Sequence, residues 1–390
     1  MRADLRGAAA ALALGAAAAS IAYTAFAVAR LIAFGRRVRA RERGSGPLPT
    51  ITVLKPVHGL EPQLEANLRS FCAQTYPAFD VVFGALDPGD AALPLVRHIA
   101  ADYPGRASAI AGDGIARCRN PKIATLLPML ERATGEILVI ADSDMRVTPG
   151  YLRAVAAAFA DERVGAATAL YRGEPAGSDV ASALGAMWIT EQFAPSVLVA
   201  NTVEPLAYCF GSTMAVRRTV LDAIGGLAAL GDHLADDHRL GQLVTERGRS
   251  VVLVPYVVAN LVSERDVFAL INHEVRWART IRSVRPASYL GVLLTYPVPL
   301  ALLYGALTRD ERRKHIVYLI ALLGRLSLRL AARRALRVQR RVPRRLTLMR
   351  DVLGIAVWAI ALFGRDVRWR DESLHITRDG RLEQEGHRAE

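Results

Sequence analysis

Cysteine is scarce. The 390 residues hold three, Cys72, Cys118 and Cys209, far apart and without a CxxC pair. That excludes a disulfide framework and a cysteine-ligated zinc site, and fits reduced thiols in a cytoplasm-facing domain. Aromatic residues are also few, 6% against 52% hydrophobic, so the apolar content is mainly Ala, Leu and Val. Such a composition excludes a disordered chain and suits a buried parallel sheet or membrane helices. Acids are nearly missing from one stretch: from Arg309 to Arg350 there are 14 Lys/Arg against only Asp310 and Glu311. The net charge of +13 is concentrated there. Interleaved with apolar segments, it has the pattern of cytoplasmic membrane flanks rather than of a nucleic-acid surface. No internal repeat is found, and the length allows one large domain or two ordinary ones.

What is present begins with an uncharged apolar run, Gly7–Ala29, long enough for a helix to span a bilayer core. A cleaved signal peptide would have a shorter apolar region. The run leads into Arg36, Arg37, Arg39, Arg41 and Arg43, against the lighter charge of Arg2, Asp4 and Arg6. That bias predicts an uncleaved anchor over 1–35 with the following domain in the cytoplasm. Residues 44–50, GSGPLPT, read as a linker.

From Ile51 the pattern becomes α/β. Strands are expected at Ile51–Val57, Val81–Leu86 and Ile137–Ala141. Helices are expected at Glu61–Gln74, Ala91–Asp102, Lys122–Ala133 and Pro149–Ala160. Short apolar runs alternating with helices predict a doubly wound, mostly parallel sheet, whose ligands bind beyond the carboxyl ends of the strands. Beyond residue 286 the chain is membrane-like again. Ala287–Leu307 is uncharged and long enough to span; Ile316–Leu330 carries Arg325 and Arg329; Val352–Phe363 suits an interfacial or re-entrant segment. The expected division is an anchor at 1–35, a catalytic domain at 50–285, a membrane region with a basic loop at 286–365, and a polar tail at 366–390.

Acids follow the strand-like segments. Asp87 ends VVFGAL, Asp142-Ser143-Asp144 ends EILVIA, and Asp236-Asp237 lies in LGDHLADDHRLG. Two carboxylates at a ligand-facing sheet edge suit Mg2+ or Mn2+, hard cations that bridge carboxylates to substrate phosphates. A nucleotide-sugar transferase needs that arrangement, because charge grows on a leaving diphosphate. Each acid also has a plainer reading: Asp87-Pro88-Gly89 makes a turn, and Asp236-Asp237 suits a helix N-terminus. The segment His273-Glu274-Val275-Arg276-Trp277, followed by Arg279, Arg282 and Arg285, is a basic amphipathic helix before the Ala287 run. Arg276 could face a diphosphate while Trp277 packs beside sugar or acceptor. Lys55 and Lys122 could serve the diphosphate or cap helices. Gly211 and Ser212 could permit close backbone approach to a ligand, or form a strand bulge.

In this order the motifs resemble inverting GT-A glycosyltransferases, and more closely the ceramide glucosyltransferase family. The resembling stretches are LKPVHGLEPQLEANLRSF (54–71), NPKIATLLP (120–128), DSDMRVTPGYL (142–152), FGSTMAVRR (210–218), GG (225–226), ADDHRLG (235–241) and VRWART (275–280). They cover roughly residues 50–285. The bacterial hopanoid-biosynthesis-associated glycosyltransferases are a branch of the same group that the compact length and NPKIATLLP also resemble.

The resemblance implies roles. Asp87 would bind the uridine side of a UDP-sugar, Asp142 and Asp144 would hold Mg2+ or Mn2+ on the diphosphate, and Asp237 would be the general base. Lys122, Gly211, Ser212 and Asp236 would line the substrate site. Arg276 and Trp277 match the end of a (Q/R)xxRW motif, where His273 stands in place of the family's Gln or Arg. The implied reaction is inverting transfer of glucose or N-acetylglucosamine from a UDP-sugar to a hydroxyl of a membrane lipid, ceramide or a hopanoid polyol. It would take place at the inner membrane on the cytoplasmic side, with no nucleic-acid partner. Alternatives are a processive synthase, transfer to a polyprenyl phosphate, or a non-catalytic membrane scaffold.

Overall fold

The computed structural model describes residues 2–41, 48–264, 266–340, 342–364, 366–369, 372–376 and 381–384. Arg43, Arg365, linker residues 44–47 and the end of the tail from 385 lie outside them. One helix, α1 (Arg2–Arg41, 40 residues), opens the chain. At 1.5 Å per residue it runs roughly 60 Å, about twice a bilayer core. Its second half is not a bare anchor. Leu31, Phe34 and Val38 are buried in the core of the α/β domain, so the helix continues past the expected boundary at residue 35 into that domain.

The α/β domain runs β1 (Ile51–Pro56), α2 (Leu64–Cys72), β2 (Phe79–Ala85), α3 (Leu93–Asp102), β3 (Ala107–Ala111), α4 (Pro121–Leu130), β4 (Ile137–Ile140), β5 (Met145–Arg146) and α5 (Tyr151–Ala156). It continues with β6 (Val164–Pro175), α6 (Val180–Trp188), a π-helical turn Ile189–Phe193, α7 (Ala194–Val203), β7 (Met214–Arg217), α8 (Arg218–Ala223), α9 (Asp236–Glu246), β8 (Ser250–Val262) and α10 (Val267–Val284). The sheet order is β3-β2-β1-β4-β7-β6-β8-β5. The first four strands are parallel. β7 is antiparallel to both β4 and β6, β6 and β8 are parallel, and β5 is antiparallel to β8. Alternate residues of β1 enter opposite cores, as a period of two requires. Ile51 and Val53 pack with α2, α3 and α5, and Leu54 with α4, α9 and α1. Helices on both faces make the doubly wound α/β layer expected.

Then come α11 (Pro286–Gly291), α12 (Pro297–Leu307), α13 (Glu311–Ala335) and α14 (Leu346–Ala361). Among the described residues two helical stretches are long and apolar enough to cross a membrane, Leu5–Ala40 and Glu311–Ala335. The segment Ala287–Leu307, expected to be long enough to span, folds as two helical pieces, Pro286–Thr295 and Pro297–Leu307, bent by 74° at Tyr296. Pro297, which has no N–H to extend the first piece, follows the bend. Ser20 Oγ of α1 donates to the Leu294 carbonyl beside it at 2.7 Å. α14 begins six residues before the apolar run Val352–Phe363 and brings Arg350 and Asp351 into the interior. The tail backbone forms a three-stranded antiparallel sheet, β9 (Asp366–Trp369), β10 (Glu372–Ile376) and β11 (Leu382–Gln384).

Candidate active site

The parallel strands end where the acids begin. β4 stops at Ile140, and Asp142-Ser143-Asp144 crosses the sheet edge before β5. The Asp142 N–H donates to the Gly211 carbonyl at 3.3 Å, and the Leu261 N–H to the Asp144 carbonyl at 2.9 Å, fixing the loop from both sides. Beneath it lies Lys55, fully buried, whose ammonium donates to the Asp142 backbone carbonyl and stands 4.0 Å from the Phe71 ring centre. Burial pulls Lys55 down to about 8, against the opposing pull of Asp144 and Asp142.

Lys122 arrives from the first turn of α4. Asn120 caps that helix, its side-chain oxygen accepting from the Lys122 N–H (2.9 Å) and the Ile123 N–H (3.2 Å), with Pro121 at the first helical position. Asn120 Nδ2 also donates to the His233 carbonyl at 2.9 Å, tying α4 to the loop before the second acid pair. A cation in a first helical turn opposes the helix dipole. Here the carboxylates compensate: Lys122 Nζ is 2.8 Å from Asp142 Oδ1 and 3.1 Å from Asp236 Oδ2. Burial alone would lower the Lys122 pKa, but Asp142 and Asp236 outweigh it and hold the ammonium charged.

Asp236 and Asp237 open α9, where the dipole favours acids. Asp237 Oδ2 accepts from the Gly211 N–H at 3.1 Å, and Oδ1 from the His238 N–H at 2.7 Å. Burial, and after it the neighbouring Asp236 charge, raise Asp237 to about 7. Gly211 packs so closely that a Cβ there would lie 2.5 Å from Asp142 Oδ2. Asp142, Lys122, Asp236, Asp237 and Gly211 thus form one group.

The other expected residues take different places. Asp87 is exposed at the end of β2, and its Oδ1 accepts from the Gly89 N–H at 2.8 Å, the contact of a turn. Ser212 is buried and donates to the Ala169 carbonyl at 3.0 Å. On α10, Arg276 is mostly buried, which lowers its pKa, while the Asp142 charge raises it; its guanidinium is therefore within the field of the acid group. His273 Nδ1 is 2.7 Å from Glu264 Oε1. The Trp277 ring stacks on Trp188 at 5.2 Å and meets His273 at 4.1 Å.

Whether the acids suit a divalent cation can be asked of Asp144. Its Oδ2 accepts from Asn260 Nδ2 at 2.7 Å, while its buried Oδ1 has no hydrogen-bond partner. Among the described residues no three acid, histidine or cysteine side chains converge as a complete metal cage. A hard cation fits such a site when substrate oxygens complete its shell. Burial, then the charges of Asp142 and Glu61, raise Asp144 to about 8, more than the opposing charge of Lys55 offsets.

Several residues of this site carry no motif in the sequence. Glu61 Oε2 accepts from Ser143 Oγ at 2.8 Å, and its own pKa is raised by burial. Asn260, near the end of β8, orients Asp144. Tyr171 of β6 packs against Phe193 and Phe210 and feels the charges of Asp237, Asp142 and Asp144, which with burial raise its pKa well above normal. Glu61 lies in the stretch 54–71 that carried the resemblance, but nothing there singled it out.

Comparison with known proteins gives the chain its relatives. It is 24% identical over 241 residues to ceramide glucosyltransferase 1 of Caenorhabditis elegans, covering 61% of this chain and 51% of that protein. To ceramide glucosyltransferase 3 of the same organism it is 22% identical over 264 residues, 67% of this chain and 56% of that one. The chain spans about half the length of the curated relatives it matches. Among solved structures, a mannosyltransferase from Pyrobaculum calidifontis in complex with GDP-Man and Mn2+ aligns over 89% of this chain and 99% of that one, at 20% identity and a TM-score of 0.49. The α/β domain, four parallel strands continued through antiparallel β7, has the GT-A fold. With the family description "Glycosyl transferase family 21" matching residues 12–382, the chain belongs to that family.

Proposed function

We propose that this protein transfers glucose or N-acetylglucosamine from a UDP-sugar to a hydroxyl of a membrane lipid, ceramide or a hopanoid polyol, with inversion at the anomeric carbon. The observation that carries the reading is the group of Asp142, Lys122, Asp236, Asp237 and Gly211 at the carboxyl edge of the sheet. The division into anchor, catalytic domain, membrane region and tail belongs to the same proposal, as does a site facing the cytoplasm at the inner membrane.

Asp237 is the base: it takes the proton of the acceptor hydroxyl as that oxygen attacks the sugar opposite the leaving diphosphate. A carboxyl raised to about 7 suits that task near neutral pH. The Gly211 and His238 N–H groups hold its two oxygens in place. Asp142 and Asp144 would hold Mg2+ or Mn2+, whose chemistry is to neutralise charge growing on the departing diphosphate. Lys122 pairs with Asp142, and Arg276, near enough to feel the Asp142 charge, supplies further positive charge to that side. Trp277 and Trp188 form an aromatic face for sugar or acceptor. Asp87, at the end of β2, would meet the uridine. A lipid acceptor is supported by helices long enough to span a bilayer, packed against this domain.

Membranes containing the chain, supplied with UDP-glucose or UDP-N-acetylglucosamine, Mg2+ or Mn2+, and ceramide or a hopanoid polyol, should form a glycolipid detectable by mass spectrometry. Product from one pairing, abolished by chelation, would establish class, donor and acceptor together. Folded protein giving no product from any pairing would overturn the reading.

A further inference from the structure

Six charged side chains are buried behind the site, among helices that include a candidate membrane span. On α10, Glu274 lies between His273 and Arg276 in sequence but points away from them. Its Oε1 and Oε2 accept from Nη1 and Nη2 of Arg350 at 2.6 and 2.8 Å, and Arg350 is fully buried. The next residue of α14, Asp351, accepts with both oxygens from Arg325 Nε of α13 at 3.0 and 3.1 Å. Arg325 Nη1 donates to Glu191 Oε2 at 2.8 Å, and Arg329 Nη1 stands 3.0 Å from Glu191 Oε1. Glu191 sits in the π-helical turn, three residues after Trp188. Three arginines and three carboxylates close the chain at zero net charge.

Such groups are costly to bury, and replacement of a buried ion pair by apolar residues of similar size is often neutral for stability. Folding alone therefore does not require them. What a bidentate arginine supplies is geometry. About 100° of turn per residue puts Arg276 on the face of α10 opposite Glu274. Fixing Glu274 therefore fixes the azimuth at which Arg276 meets the acid group and Trp277 meets Trp188. At the other end, the π-helical turn, an irregularity common at functional sites, sends Glu191 to the arginines. It also holds Phe193 against Tyr171 and Phe210, the residue before Gly211.

We infer that Glu274 and Arg350 are a positioning pair that clamps α10, and that Asp351, Arg325 and Glu191 extend the clamp to the membrane helix α13 and the aromatic face of the site. The clamp sets Arg276 and Trp277 without touching substrate, and the catalytic part of the inference rests on the transferase reading above. Asp142 and Lys122 keep their own pairing without the clamp, and Arg276 acts most on charge that grows during transfer, so loss of the clamp should slow transfer more than it weakens donor binding.

The test uses the full chain in phosphatidylcholine nanodiscs and the double variant Glu274→Leu with Arg350→Met, which removes both charges and leaves no orphan. Its melting temperature should stay near that of the wild type. The excitonic circular dichroism of the Trp188–Trp277 stack, taken as a difference against Trp277→Phe, should collapse. The kcat for transfer should fall about 10²-fold, the scale of a misplacement near 1 Å, with the donor KM within a few-fold. The swap Glu274→Arg with Arg350→Glu should restore part of both signals. A double variant that keeps both the Trp couplet and wild-type kcat would overturn the clamp. Wild-type protein that makes no glycolipid would sink the transferase reading instead, and the couplet alone then decides whether the pair orients α10.

Discussion

The Gly211 N–H donates to Asp237 Oδ2 at 3.1 Å, and the same residue leaves no room for a side chain, because a Cβ would fall 2.5 Å from Asp142 Oδ2. One backbone position thus sets the spacing between the proposed base and the proposed metal ligand. In Gly211→Ala the carboxylate, the movable end of a short side chain, must swing aside and loosen its 2.8 Å pairing with Lys122. The fold should tolerate this, with little change in melting temperature. Transfer should not: kcat/KM is expected to fall about 10²-fold, as reactive groups misplaced by about an ångström do. Wild-type kinetics in Gly211→Ala would show that this contact does not govern the site.

Asn260 offers a way to probe the cation without touching a ligand. Its amide holds Asp144 Oδ2 at 2.7 Å and leaves Oδ1 as the free oxygen. Residues that orient metal ligands typically contribute 10–100-fold in affinity. Asn260→Ala should therefore weaken Mn2+ binding in the presence of UDP by about that factor, measured by titration calorimetry. Equal Mn2+ affinity in both proteins would separate Asp144 from the metal.

Much of this was legible in the sequence, and the parts that were not share a cause. β1, β2 and β4 stand out because each is an apolar run ended by turn residues, and the acids that follow lie at the sheet edge. β6, VGAATALYRGEP, is rich in Ala and Gly, which carry little strand preference. β8 contains Pro255, which argues against a central strand; the register with β6 shifts there, from Ala169 opposite Val254 to Leu170 opposite Val257. Arg325 and Arg329 read as faults in an apolar span because Glu191 lies 134 residues before Arg325 and Asp351 26 residues after it. Asn260 and Glu61 are likewise defined by partners far along the chain.

Asn120 combines a local and a distant role, and the two separate experimentally. As the cap of α4 it satisfies two N–H groups, and Asn→Ala at such a position costs about 0.5–2 kcal/mol. Asn120→Asp keeps the accepting oxygen but loses the Nδ2 bond to the His233 carbonyl. The alanine variant should lower the melting temperature, while the aspartate variant should retain most stability and still lose activity, because Lys122 and Asp236 are no longer held in register. Equal activity in the aspartate variant and the wild type would confine Asn120 to capping.

Asp237 gives the sharpest dependence on pH. Its pKa is raised from the usual carboxylate range to about 7, first by burial and then by the Asp236 charge. A base works only when ionised. One pH unit below that value about a tenth of the molecules hold a competent Asp237, and one unit above it about nine-tenths. kcat/KM should accordingly rise with pH through about 7 and level off near 8, falling about tenfold per unit on the acid side. Asp236→Asn removes the like charge that helps raise Asp237, so the midpoint should move to lower pH. Asp237→Asn cannot take the proton at any pH; turnover should drop by about 10²–10⁴-fold and the inflection should vanish, with UDP binding kept. An acid-side inflection that survives Asp237→Asn would assign the titrating base to another group. Loss of UDP binding with unchanged turnover of bound donor would place Asp237 on the donor instead of on the acceptor hydroxyl.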